Sequence, residues 1–597
     1  MRRVDVHDKV SVKDIDLRMT LRLLSFVRPH RLLVVIALAA MALATGFNLL
    51  QPYIIKLVID ENLVKGSLAG FYGYVVLFGV AVIGRNVFSY LQMVIVTTLG
   101  QRVILDMRKR LFKKVLELPL SFYDRNPTGR IITRHISDIE AVNEMISSGL
   151  VSVIGDLVMV LSIAVILLLL DRSLFLYTLI SIVLLLVFAH FMKVRLRETN
   201  RALRQNTAKM NAFLHEYIAG IGVVKGFGRE EKIRRKFRVH NDDFKRAGMK
   251  LSTLYSVYFP GVEFISALAL VIVLFKGGLG VIGGTITIGT VIAFAGYLEK
   301  FFGPVKDMSD KYNILQSALA SCERIFTILD MKSSPEYGSP PASMRLPHPE
   351  EGGTAEGAPL IEFRNVEFDY GGEEVLRTFS LSIDQGEKVA IVGPTGAGKT
   401  TIVNLLLGFY HPREGEILYA GRDIRTLDIG GLRRKVVLIP QEPFLFNGTV
   451  LDNILGGEEL DEAWLDVTLK SCGIVRFVEN LPDGLNTFVG ERGSRFSAGQ
   501  RQLVSFARAI YHRPEVLILD EATGNIDPET EHDVTSAIKK MMEGKTSIVI
   551  AHRLQTVVEC DKIAVVMNGK VAEEGPHGAL LRAKGYYSAL YGLQITS

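Results

Sequence analysis

Cysteine is nearly absent: Cys322, Cys472 and Cys560 are the only three in a chain of 597, and no spacing between them suits a disulfide framework or a zinc site. A reducing cytosolic setting follows for the parts that carry them. Charge is scarce too. Charged residues make up 22% with a formal net of +6, which is too little for this length to imply nucleic acid as a partner. The first sixteen residues, MRRVDVHDKVSVKDID, lack the apolar core of a cleavable signal peptide, so the first apolar helix must direct insertion itself. No internal repeat is visible.

What the chain does hold is apolar residues, 48% of the total and concentrated in its first half. Six stretches have the length and apolarity of a bilayer span: 32–59, 71–99, 150–170, 174–191, 258–275 and 286–301. The gaps 60–69, 171–173 and 276–285 carry few Lys or Arg, whereas 102–114 and 193–204 carry many. The positive-inside rule then puts both termini in the cytoplasm of a multi-pass protein of the inner or plasma membrane. Residues 17–28, LRMTLRLLSFVR, interleave arginine with leucine; that suits an interfacial helix on the inner membrane surface, or equally an extension of the first span. Polar, helix-prone stretches between spans two and three, and four and five, are longer than ordinary connections, so the membrane helices should continue into the cytoplasm.

Residues 310–330 keep helical periodicity, and SSPEYGSPPASMRLPHPEEGGTAEGAP (333–359) then breaks every pattern with Pro, Gly and Ser, as a linker does. Beyond Leu360, short β-branched runs alternate with helical stretches, which predicts an α/β domain with a largely parallel sheet. The expected organisation is a cytoplasmic segment (1–31), a six-span α-helical membrane domain (32–330), a linker (331–359) and an α/β domain (360–597).

EKVAIVGPTGAGKTTIVNLLL (387–407) reads as a strand, a glycine-rich turn and a helix. Gly393, Gly396 and Gly398 let backbone N–H groups close round phosphates, Lys399 supplies a positive charge, and Thr400 offers a hydroxyl to magnesium. The candidate nucleotide loop is Gly393, Pro394, Thr395, Gly396, Ala397, Gly398, Lys399, Thr400 and Thr401. VLILDEAT (516–523) ends an apolar strand on two carboxylates, which would be costly without a cation or water. Asp520 is expected on the magnesium side, through water, and Glu521 to polarise the attacking water. His552 also ends an apolar strand, as a γ-phosphate sensor or an ordinary structural residue.

The order of phosphate loop, Gln441 in LIPQEPFLF, FSAGQRQ, LILDEAT, Asp527 and IAHRL resembles the nucleotide-binding domain of ABC transporters. Fused behind six spans, it resembles an exporter-type half-transporter such as the bacterial multidrug and lipid A exporters. LPLSFYDRNPTGRIITR (118–134) and IAGIGVVKGFGREEK (218–232) are similar to the family's intracellular loops, which carry the coupling helices. The resemblance implies an ATPase using ATP and Mg²⁺, with Tyr370 stacked on adenine and the metal held by Thr400, Gln441 and Asp520. Gln441 would also contact the attacking water and report to the coupling helices. Glu521 would be the general base, His552 would contact the γ-phosphate beside Lys399, and Asp527 would lie in a loop between two ATP sites. Ser497, Ala498, Gly499 and Gln500 would face ATP held by a second half-transporter, because a helix start exposes unpaired N–H groups and its positive dipole end. The implied activity is export, or leaflet flipping, of a hydrophobic or amphiphilic solute by alternating access, with drugs or lipids as cargo and peptide as the alternative.

Two features depart from the family pattern. The usual signature is Leu-Ser-Gly-Gly-Gln, whereas this chain has Phe496 and Ala498, and Thr523-Gly524-Asn525-Ile526-Asp527 replaces the common Ser-Ala-Leu-Asp ending. Among relatives such irregularity accompanies heterodimers, so a heterodimer is expected over a homodimer. The methyl of Ala498 should slightly push back the facing phosphate. Within the spans, Arg85, Asp156, Glu263 and Glu299 are costly unless they face protein or a wet cavity, so they are either substrate contacts, Arg85 foremost, or mutual pairs. An ATP-gated channel with slow hydrolysis would predict a defect among Lys399, Gln441, Asp520, Glu521 and His552; all are present. Six spans exclude a soluble ATPase of this type.

Overall fold

In a computed structural model of the chain, the described residues are 17–333, 358–520, 528–550 and 554–595. They form two compact units: residues up to 116 with 128–331, and 117–127 with the remainder from 332.

The first unit is helical. α1 (Leu17–Val27), α2 (Arg31–Leu57) and α3 (Phe71–Leu116) precede α4 (Leu120–Arg125), which belongs to the second unit. α5 (Thr128–Thr133), α6 (Ile139–Glu144) and α7 (Val151–Leu170) form one broken rod, joined by π-helical turns at Arg134–Asp138 and Met145–Leu150. α8 (Arg172–Ala219), α9 (Ile221–Gly226), α10 (Glu230–Ile282) and α11 (Ile288–Leu329) complete it. α10 has 53 residues. At 1.5 Å per residue it is about 80 Å long, far more than a hydrocarbon core of about 30 Å. The spans therefore do continue as long polar helices.

Five helical stretches among the described residues are long and apolar enough to cross a membrane: Ser25–Leu63, Phe71–Leu116, Thr128–Leu170, Arg172–Ala219 and Glu230–Ile282. The sixth expected span, 286–301, forms the first part of α11, where adjacent Glu299 and Lys300 dilute the apolar run. Small residues set the helix contacts. A Cβ on Gly84 would lie 2.9 Å from the Phe47 ring, and one on Gly261 would lie 2.4 Å from the Phe188 ring. α1 turns Leu23 and Phe26 inward, where Phe26 meets Phe326 of α11 with ring centroids 6.0 Å apart and Arg110 of α3 lies over its ring. Asp138, in the first π turn, is buried and accepts from Arg134 (2.8 Å), Ser321 (3.0 Å) and Nε of Arg324 (3.0 Å).

The second unit holds two sheets. β1 (Ile361–Asp369), β2 (Glu374–Ile383), β4 (Glu414–Tyr419) and β5 (Arg422–Asp423) form an antiparallel sheet in the order β2-β1-β4-β5. The other contains β3 (Lys388–Val392), β6 (Val436–Ile439), β7 (Val516–Asp520), β8 (Thr546–Ile550), β9 (Lys562–Met567) and β10 (Lys570–Gly575) in the order β10-β9-β3-β8-β7-β6. It is parallel except for β10 on its edge. The run IEFRNVEFD thus lies outside the parallel sheet. Its burial is interrupted, as suits a one-sided antiparallel sheet, whereas β8 is buried at every position.

Candidate active site

The candidate phosphate loop runs from a strand into a helix, the local order expected from the sequence. β3 ends at Val392, and α12 (Lys399–Leu406) starts after six intervening residues. Gly393 is required by space, since a Cβ there would stand 2.3 Å from the Val566 carbonyl oxygen. Gly398 is required by conformation: φ is +101°, in the left-handed region, at the residue that starts α12. Pro394, Thr395, Gly396 and Thr400 are exposed along the loop, while Ala397 is buried beneath it. Lys399 is itself buried, and its ammonium donates to the carbonyls of Gly393 (2.7 Å) and Pro394 (3.1 Å).

Strand register brings the next groups to the same edge. Ile550 of β8 pairs with Ile391 of β3 on one side and with Asp520 of β7 on the other. The phosphate loop and the Asp520 carboxylate therefore leave the sheet at one level, two strand spacings or about 10 Å apart. β6 runs parallel to β7 and ends at Ile439, so exposed Gln441 follows at that carboxyl edge, where open α/β sheets bind their ligands. Glu521, Asp527 and His552 lie outside the described residues.

Tyr370 is 43% exposed, with its ring edge-on to Phe368 (4.8 Å) and Tyr410 (5.0 Å) and its hydroxyl 3.2 Å from Oγ1 of buried Thr401. One ring face is thus available beside the phosphate loop. Tyr410 in turn donates to Asp124 of α4, and burial, then the carboxylate, push its phenol pKa up. The expected first intracellular loop is in this way tied to the tyrosine pair.

After α13 (Ile429–Lys435), α14 (Val450–Leu455), α15 (Glu462–Ser471) and α16 (Val475–Glu479), Ser497 is the N-cap of α17 (Ala498–Tyr511). Its Oγ accepts from Gln500 N (3.3 Å), while Gln500 Oε1 accepts from Ser497 N (3.0 Å). This capping box uses the N–H groups of residues 497 and 500 and leaves those of Ala498 and Gly499 at the helix start. Phe496 is buried edge-on against Phe477, so its departure from leucine is a packing change inside the unit.

Sequence reasoning missed Arg508. It is largely buried in α17; burial lowers its pKa, and it donates to the carbonyls of Asn453 (2.7 Å) and Phe444 (2.9 Å) and to Oδ1 of Asn453 (2.8 Å). It thereby fastens the segment that follows Gln441 to the signature helix. The only signal in the sequence was an arginine among Phe506, Ala507, Ala509 and Ile510.

Among the intramembrane charges, Asp156 is paired with Lys311, while Arg85, Glu263 and Glu299 are exposed on the chain. Lys300, also missed, bonds Asn48 Oδ1 (2.5 Å) and Gln51 Oε1 (3.4 Å) across α2.

Residues 34–305 match the ABC transporter transmembrane region and residues 376–524 match the ABC transporter family. Along nearly its full length the chain is 31% identical to the ATP-dependent lipid A-core flippase of Syntrophus aciditrophicus, covering 96% of this chain and 94% of that one. The chain belongs to the ABC transporter family. The putative multidrug export ATP-binding/permease protein of Bacillus subtilis is 32% identical over 590 residues, covering 96% of this chain and 99% of that relative. A fatty acid ABC transporter protein of Mycobacterium bovis is 36% identical over 491 residues, covering 82% and 76%. The fold matches the solved structure of a bacterial Atm1-family ABC exporter with ATP bound, at a TM-score of 0.76 and 26% identity, covering 94% of this chain and 98% of that one. This ABC chain is therefore a membrane-embedded, exporter-type half-transporter that binds ATP and couples its hydrolysis to transport.

Proposed function

We propose that this half-transporter exports a hydrophobic or amphiphilic solute, a lipid or a drug, by alternating access, with both termini in the cytoplasm. The observation that carries the reading is the start of α17: its capping box leaves the Ala498 and Gly499 N–H groups for a phosphate that no group on the same helix supplies. A second half-transporter would bring that phosphate, so that two ATP molecules are sandwiched between two chains. Binding closes the pair, hydrolysis releases it, and the long cytoplasmic helices carry the movement to the spans.

Within each site, Lys399 and the loop Gly393–Thr401 hold the phosphates, and Tyr370 stacks on the adenine. Thr400, Gln441 and Asp520 form an all-oxygen donor set at one sheet edge, which fits Mg²⁺. The metal, when bound, neutralises charge on the transferred phosphate. Glu521 takes the proton of the attacking water, His552 contacts the γ-phosphate, and Asp527 communicates between sites. Phe496 is buried, so Ala498 becomes the departure that meets ATP, and it supports a heterodimer with two unequal sites. Arg85, Glu263 and Glu299 are exposed on the spans and remain the cargo-contact residues of this reading, whereas Asp156 is held by Lys311.

Purified chain assayed for ATP hydrolysis is the test. Glu521→Gln is expected to lower turnover by about 10²- to 10⁴-fold with ATP binding retained, and unchanged turnover would remove Glu521 as general base. Full, drug-stimulated activity of a stable homodimer would overturn the heterodimer.

A further inference from the structure

A cavity of about 630 Å³ lies between α2, α7 and the turn into α11. Its volume is that of a small-molecule site, for which about 300–1,000 Å³ is usual. Leu50, Ile166, Leu169 and Leu170 supply apolar wall, and two charges of opposite sign, Lys56 and Asp171, stand at its polar end. α2 ends at Leu57, α7 ends at Leu170 and α11 begins at Ile288. The charges therefore lie where three spans reach the membrane surface, and the apolar wall lies below them.

The cation is fixed in place. Lys56 Nζ donates to Asp60 Oδ2 (3.0 Å), which also accepts from Thr287 Oγ1 (2.7 Å), while Asp60 Oδ1 accepts from the Gly289 N–H (2.9 Å). Gly289 makes this clasp possible, because a Cβ there would stand 2.5 Å from the Lys56 carbonyl oxygen. One of three ammonium protons is used, leaving two to donate. On the opposite wall, Asp171 Oδ1 accepts from Ser173 Oγ (2.7 Å) and the Leu174 N–H (2.8 Å), while Oδ2 has no partner among the described residues.

We propose that this cavity binds a zwitterionic glycerophospholipid, with its phosphate on Lys56, its head-group ammonium at Asp171 and the start of its acyl chains along Leu50, Ile166 and Leu169. Charge selects the class. Lys56, Asp60 and Asp171 sum to one negative charge, so an anionic lipid gains no net attraction, whereas a head group carrying both signs matches both walls. The level of the site agrees, since head groups lie at the ends of the spans. The assignment depends only on the membrane fold, and it stands whether or not lipid is the cargo.

Native mass spectrometry of the purified full chain, loaded with equal phosphatidylethanolamine and phosphatidylglycerol, tests it. The wild type should retain phosphatidylethanolamine preferentially. Lys56→Gln, which can still donate to Asp60, and Asp171→Asn should each lower retention by about tenfold, the loss of one charge-assisted contact. Leu50→Trp, which fills the cavity without touching either charge, should do the same with thermal stability unchanged, and it guards against charge variants that misfold. Repeating the measurement during ATP turnover separates the sources: loss of the lipid marks cargo, retention marks a resident lipid, and both uphold the site. Equal or preferred binding of phosphatidylglycerol, displacement by a cationic dye with no lipid retained, or wild-type retention in all three variants overturns it.

Discussion

Val389, Ile391 and Ile518 in the nucleotide-binding unit are fully buried, whereas Ile83, Leu169 and Phe264 in the membrane unit are 65%, 78% and 71% exposed. Water sorts the first set inward; hydrocarbon gives no such sorting, and what must be satisfied inside a membrane unit is polarity. Its buried ionic groups accordingly occur with partners, as in Lys311 with Asp156 and Asp138 with two arginines and a serine. In the nucleotide-binding unit the cation at the site, Lys399, is instead held by backbone carbonyls that a phosphate can replace. Paired charge keeps the membrane unit in shape, and contacts to loop carbonyls that a phosphate can replace suit Lys399 to a ligand.

Breaking a pair in the membrane unit should have the largest effect. Lys311→Met leaves Asp156 largely buried and alone, at a cost of about 3 kcal/mol, while Lys311→Met with Asp156→Leu should restore stability to near wild type. Thermal unfolding in detergent distinguishes the two, and a double variant as unstable as the single would end the comparison. In the nucleotide-binding unit, Arg508→Leu removes three hydrogen bonds and strands the Phe444 and Asn453 carbonyls, at about 2–3 kcal/mol. The exposed Arg425–Asp423 pair gives its control, since Arg425→Leu should cost under about 1 kcal/mol.

Glycine sharpens the same contrast at a smaller magnitude. Gly398→Ala forces a side chain into φ +101° at the mouth of the phosphate loop. It should weaken ATP binding about tenfold, equivalent to about 1.4 kcal/mol, by equilibrium titration. Gly261→Ala crowds Phe188 between α8 and α10 and should lower the melting temperature with ATP affinity unchanged.

These differences also explain what could be read in advance. The strand, turn and helix of 387–407 is local, so its glycines and Lys399 announce their geometry within twenty residues, and the long helices follow from apolar runs that no soluble fold would leave exposed. Arg508, Lys300 and the closing of Asp60 on Gly289 depend on partners 55 to 252 positions away. Nothing along the chain marks such a pairing. β1 is different: Ile361, Phe363, Val366 and Phe368 are spaced among charged residues, a pattern of a half-buried strand that the sequence itself carries and that sets β1 apart from the all-buried β8 of the parallel sheet.

His512, just past α17, gives the smallest effect. Its pKa is held below the ordinary 6.5, first by burial and then by Arg508, with Glu458 opposing. The unfolded chain takes up a proton near pH 6.5 while the folded chain does not until lower pH, so the folded state is fully favoured above 6.5 and loses stability as pH falls through the folded value. His512→Gln cannot titrate. Between pH 7.5 and 5.5 the wild type should therefore lose about 2 °C more in melting temperature than the variant. Equal losses would mean that a single buried imidazole in this unit is compensated as fully as the paired charges of the membrane helices, and the contrast between the units would then hold for the ATP site alone.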